Sequence, residues 1–402
     1  MPMMIRVATL ILLLSINALS LVKANESEKA EVVILGVSHS AQLFVQDYRP
    51  AILRGWLANA SPDVIAVELT PSRFDSKNYY DFTYEIQGVV IPFANEFGIG
   101  LAPFDWEPAK KEGRLMFGFD LFHTPTIRPS RGWRSFLSFT GDESELVKHF
   151  YIGDQNSIRK RLEGWMDTPA TSPQAEAARR LYLYRTFLQA RNIEQIARNN
   201  LGKRIVVVVG YMHQPDLERV LASSEVVRLI SPSEFSVPEA QTLKQYERNE
   251  DLYAIAWANL FSTHSELHGF DTEWIKNVLH EIKGLDEGSE YKILKLKYEQ
   301  RLSAEVSVSQ LISWISLAES ISLNDEPSWR GGISETRVDS DFEPFSALSL
   351  RQRAFHEAAI VACKLRELDE LPQLKNQVIK TLSEERVKHY LEYWQVSFEE
   401  CE

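Results

Sequence analysis

The chain has 402 residues, 25% of them charged, with 44 Lys and Arg against 56 Asp and Glu, a formal net charge of −12. That balance argues against a nucleic-acid partner, whose binding runs on clustered cations that neutralise phosphates and release counterions. The length suits one large core, or one core joined by a smaller helical unit.

The first residues read as a targeting segment. Arg6 precedes an apolar stretch from Val7 to Leu14 that continues, broken by Ser15 and Asn17, to Val22. Val22-Lys23-Ala24 then places uncharged residues at the two positions a signal peptidase reads. Residues 1–24 are expected to be cleaved near Ala24, giving a periplasmic or secreted protein; a retained anchor suits the short, interrupted run less well. Cleavage removes Arg6 and Lys23 and leaves a charge of −14. No later stretch is apolar and long enough to predict an integral membrane segment.

Residues 31–67 read as a βαβ unit: an apolar run at 32–35, a helix opened by Pro50 with Ile52, Leu53, Trp56 and Leu57 on one face, a stop at Asn59-Ala60-Ser61-Pro62, and a second run at 63–67. The runs lie about 30 residues apart, as a parallel crossover needs. A helix over 89–97 leads to a third run at 99–104. From 107 to 167 the pattern loosens into an expected insertion. A long helix follows, with Ser172 as N-cap and Pro173 at N1, running from 174 to 201 and stopping at Gly202. Strands are expected at 205–209 and 226–230. Beyond 236 the pattern predicts only helices, over about 240–268, 272–283, 287–303, 305–322, 346–367 and 372–396. The expected fold is α/β: a mainly parallel central sheet over 30–235, followed by a helical region over 236–402.

Four of the apolar runs end on polar, chemically capable groups: His39, Glu68, Asp105 and His213. Ligands of open α/β sheets collect beyond the carboxyl ends of the strands, so these four converge if the runs are neighbours. Two imidazoles and two carboxylates suit a divalent metal or acid–base chemistry. A bound cation would lower the pKa of its water toward about 7. Plainer readings exist for three of them: an ordinary half-buried histidine for His39, an ion pair with Arg73 for Glu68, a turn cap for Asp105. His264 and His268 share a helix face, but two histidines in the last turn before Gly269 also suit a helix C-terminus. Cys363 and Cys401 can pair in an exported protein or remain two free thiols.

Several of these stretches resemble the TraB/PrgY/GumN and Tiki family, within the group that holds erythromycin esterases and ChaN-like haem-binding proteins. The resemblance rests on Ile34-Leu35-Gly36-Val37-Ser38-His39, a first GxxH, and on Pro62-Asp63-Val64-Ile65-Ala66-Val67-Glu68-Leu69-Thr70-Pro71-Ser72-Arg73. It continues through Arg191-Asn192-Ile193-Glu194-Gln195-Ile196-Ala197 and a second GxxH, Gly210-Tyr211-Met212-His213. Order and spacing agree over 31–235. The chain departs from the family at Val37, usually Thr, at Tyr211-Met212, usually a small pair, and at Asp216, usually Gly.

The resemblance implies a metal-dependent hydrolase, peptidase-like in some animal members, using a divalent ion such as Mn, Co or Zn. By the resemblance His39, Glu68 and His213 would be ligands or acid–base groups, with Arg73 near a peptide or small-molecule ester substrate; Asp105 is expected to join the metal ligands from its place at the end of the third run, not from the resemblance. A metal-independent esterase built on His and Glu is the near variant. A binding protein without turnover, for haem or another small molecule, is the reading from a different class.

Overall fold

In a computed structural model, the structure describes residues 29–39, 41–80, 83–108, 150–330, 348–399 and 401. The expected signal segment lies outside them, as do 109–149 of the expected insertion.

Five strands form one all-parallel sheet: β1 (Ala30–Val37), β2 (Val64–Val67), β3 (Gly100–Pro103), β4 (Arg204–Gly210) and β5 (Val227–Ile230), in spatial order β3-β2-β4-β1-β5. The runs Val32-Val33-Ile34-Leu35 and Ile205-Val206-Val207-Val208-Val209 are apolar on both faces because both are covered. β4 lies between β1 and β2, so the predicted βαβ unit spans an intervening strand. Val37 pairs with Gly210, and Val67 with both Val208 and Pro103, which brings the carboxyl ends nearly level.

Helices cover both faces. On one side α1 (Pro50–Ala60) seats Leu53, Trp56 and Leu57 against Val33, Leu35, Ile65 and Val206. A short α2 (Pro71–Ser76) follows β2, capped by the Thr70 hydroxyl. A π-turn, Glu85–Val90, runs straight into α3 (Ile91–Phe97), so the helix begins earlier than predicted. On the other side α5 (Pro173–Arg198) and α6 (Gln214–Leu221) place Ala190, Ile193, Ala197, Leu217 and Leu221 against Val32, Ile34, Val207 and Val209. Ahead of α5 in the chain, α4 (Asn156–Asp167) is a regular helix whose Ile158 and Leu162, one turn apart, join the core on the α1 side. The expectation of loose structure to 167 is therefore corrected at its end.

The rest is helical: after one turn at Ala240–Leu243 come α7 (Asn249–Phe261), α8 (Thr263–His268), α9 (Thr272–Leu285), α10 (Ser289–Leu302), α11 (Val308–Ser320), α12 (Leu350–Leu365), α13 (Leu371–Ile379) and α14 (Glu384–Ser397). Two predicted helices are broken where a serine offers a cap: Ser262 starts α8 and Ser383 starts α14, each accepting a backbone N–H. These helices share one continuous apolar core with the α1 face of the sheet. No helix among the described residues is long and apolar enough to cross a membrane. Cys363 and Cys401 form a disulfide.

Candidate active site at the carboxyl edge of the sheet

β1 and β4 are neighbours, yet the chain leaves β1 toward α1 on one face and β4 toward α6 on the other. That divergence is a topological switch point, where an open α/β sheet leaves a crevice for ligands. His39 follows β1, Glu68 follows β2, Asp105 follows β3 and His213 follows β4. The structure does bring these four to one rim. What sits among them is a residue the sequence reading missed, Arg185 of α5.

Arg185 is 8% exposed and donates in several directions. Its Nε and Nη2 grip Asp105 at 2.9 and 2.6 Å. Nη2 also reaches Glu68 Oε1 at 2.8 Å, and Nη1 reaches His213 Nε2 at 3.0 Å. Buried charges need partners of this quality to offset lost hydration. The two carboxylates raise the guanidinium pKa above its ordinary value, although burial works the other way.

His213 is locked as a neutral acceptor. The Thr186 hydroxyl donates to the Tyr182 carbonyl at 2.9 Å, so its oxygen is left to accept from His213 Nδ1 at 2.7 Å. Nε2 then carries the lone pair that receives the Arg185 N–H. Burial, with Arg185 and His39 nearby, pushes the imidazole pKa well below 6.5. The Tyr182 ring stacks on the imidazole at 4.7 Å between centroids.

His39 is held differently. Its Nδ1 donates to Glu85 Oε1 at 2.6 Å, from the π-turn, and its Nε2 faces Glu68 Oε2 at 3.8 Å. Burial opposes the imidazolium, but Glu85, by charge and hydrogen bond, and Glu68 outweigh burial and Arg185; the pKa rises above 6.5. Glu68 is itself pushed up from 4.5 by burial and by Asp105, against the pull of Arg185, His39 and the Gly210 N–H. That N–H donates to Glu68 Oε2 at 2.7 Å. A Cβ on Gly210 would stand 2.7 Å from His39 Nε2, so the second GxxH needs its glycine to make room for the first histidine.

Arg73 stands one shell out. It pairs with Glu107 at 2.8 Å, not with Glu68, and lies over the Tyr80 ring at 4.5 Å. Tyr80 links this pair to the centre, its hydroxyl lying 2.7 Å from Glu107 Oε1 and 3.2 Å from Asp105 Oδ2. Gln189 adds a bond to Asp105 at 2.8 Å. Tyr182, Arg185, Thr186 and Gln189 recur at helical spacing just before the apolar stripe Ala190, Ile193, Ala197. That polar stretch of a buried face was the readable sign of a site. Glu85 left no comparable sign, because the sequence around it looks like an ordinary helix start.

The arrangement does not fit a metal ion held by His39, Glu68, His213 and Asp105. Asp105, His213 and Oε1 of Glu68 already accept guanidinium N–H groups, Oε2 of Glu68 accepts the Gly210 N–H, and a second cation would meet a fixed positive charge. Among the described residues no group of three or more His, Cys, Asp or Glu side chains is spaced to hold a metal ion. His264 packs its ring 4.3 Å from that of Phe44; the His268 side chain lies outside the described residues. Compared with models of protein families, with curated proteins and with solved structures, the chain matches none.

Proposed function

We propose that this chain is an exported hydrolase of the TraB/PrgY/GumN and Tiki type that cleaves a peptide or small-molecule ester by metal-independent acid–base chemistry on His39. The observation that carries the reading is the setting of that imidazole. One nitrogen is clamped by Glu85, and the other faces Glu68 across 3.8 Å, a gap that one water can bridge.

The chemistry follows from the donors. Neutral His39 takes a proton from the bridging water through Nε2 as the water oxygen bonds to the substrate carbonyl carbon. Glu85 and Glu68 stabilise the imidazolium that forms. The tetrahedral intermediate collapses, the bond to the leaving amine or alcohol breaks, and the same nitrogen returns the proton to it. Glu68, fixed by Arg185 and the Gly210 N–H, orients the water, while neutral His213 accepts from Arg185 and so holds the guanidinium that grips this carboxylate. Arg73, with Tyr80 and Glu107, borders the approach of the substrate.

The test is a peptide and ester panel run with chelator, without it, and with added Mn, Co or Zn. Turnover is expected to change by less than about twofold with chelator and to fall by roughly 10²–10⁴-fold in His39→Ala, the usual contribution of a positioned base. Turnover restored only by an added ion would favour the metal-dependent form. A Soret band with haem and no turnover on any substrate would favour the binding protein.

A further inference from the structure

A buried side chain of the helical region reaches the turn that carries Glu85. Asp251, in the first turn of α7, is 4% exposed. It pairs with Arg54 of α1, whose Nη2 lies 2.8 Å from Asp251 Oδ1. The same oxygen accepts the Tyr84 hydroxyl at 2.7 Å. Arg54 Nη2 also donates to the Gly88 carbonyl at 3.0 Å. Tyr84 and Gly88 flank the first residues of the π-turn, and Glu85 lies between them. Asp251 and Arg54 therefore fix that turn from both sides of the carboxylate that binds His39. A π-turn inserts an extra residue into the helical ladder and is common at functional sites, where it re-aims a side chain.

We infer that Asp251 is a positioning residue for the candidate site, setting the Glu85–His39 hydrogen bond through Tyr84, Arg54 and the π-turn. The inference rests on the reading of His39 as the working base, and it gives the helical region a part in the chemistry. Simple cement between α1 and α7 would account for the Arg54–Asp251 pair alone. It does not account for the second acceptor role toward Tyr84, nor for Arg54 reaching into the turn.

The experiment observes the His39 Nδ1–H proton, strongly deshielded by a 2.6 Å bond to a carboxylate, in protein labelled with ¹⁵N-histidine, with His39→Gln assigning the resonance. Asp251→Asn and Tyr84→Phe are expected to move or broaden it and to lower kcat on the order of tenfold with KM unchanged. Glu357→Gln breaks another buried pair of the helical region, Lys297–Glu357 at 2.6 Å, and is expected to destabilise the fold while leaving the resonance in place. An unchanged resonance in Tyr84→Phe, which deletes one hydroxyl and keeps the ring, would overturn the inference, as would an equal change in Glu357→Gln. Hydrolysis surviving His39→Gln would sink the proposed function instead, and the resonance would still decide whether Asp251 positions the pair.

Discussion

His39 and His213 come from the same GxxH pattern but are given opposite charge preferences by their partners. His213 donates to a hydroxyl and accepts from a guanidinium, so it cannot take a second proton without breaking the Arg185 contact. Its folded pKa lies well below 6.5, so its contribution to stability is whole above pH 6.5 and is lost as pH falls and the unfolded chain takes up a proton. His39 has a raised folded pKa, so its contribution is whole below pH 6.5 and is lost as pH rises through the folded value. Denaturant unfolding between pH 5 and 8 checks this. The stability gap between wild type and His213→Gln should shrink on acidification, and the gap to His39→Gln should shrink on alkalinisation. The two gaps moving together would refute the assignment. The acid limb of the rate profile should also lie above pH 6.5, since the base must be neutral to act.

At the scale of elements, two glycines separate chemistry from packing. Gly210 ends β4, where the atoms nearest a Cβ belong to side chains, His39 Nε2 at 2.7 Å and Glu68 Oε2 at 3.6 Å. Gly36 lies inside β1, where a Cβ would meet Gln214 Oε1 at 2.5 Å and the Tyr211 backbone at 2.8 Å. Gly210→Ala should therefore cost about 10²-fold in kcat through a displaced imidazole, with a loss of stability no larger than that of His39→Gln. Gly36→Ala should cost about 1–3 kcal/mol of stability by overpacking. Full activity in Gly210→Ala would mean that His39 does not work from this position. The same edge shows what a sequence reveals. The five strands were legible because four are apolar runs and β5 is one broken only by Arg228, each followed by a polar or turn residue, and the long α5 because Pro173 and Gly202 bracket it. Helix α4 was not, since only Ile158 and Leu162 mark its buried side among charged neighbours. Four of the site's side chains were legible because strand ends recur in sequence. Arg185 and Glu85 come from a helix and a π-turn, whose contribution depends on which face the tertiary packing turns inward.

Across the whole molecule, one apolar core runs from the sheet through α7 to the chain end, where Tyr390, Trp394 and Phe398 pack against His356 of α12. The disulfide closes this last part onto α12. Cys363 and Cys401 are 38 residues apart, a loop whose closure removes about 4 kcal/mol of chain entropy from the unfolded state. None of the residues assigned to the site lies within that loop. The covalent bond that holds the C-terminal helices therefore encloses no residue of the candidate site. In the double variant Cys363→Ser with Cys401→Ser, proteolysis should cut first within 366–399, and stability should fall by up to about 4 kcal/mol. Hydrolysis by the undigested protein should stay within about twofold of wild type. A loss of turnover before any cleavage would show that α12 to α14 bear on the site by a second route besides Asp251. The division of labour between a working edge and a stapled end would then have to be redrawn.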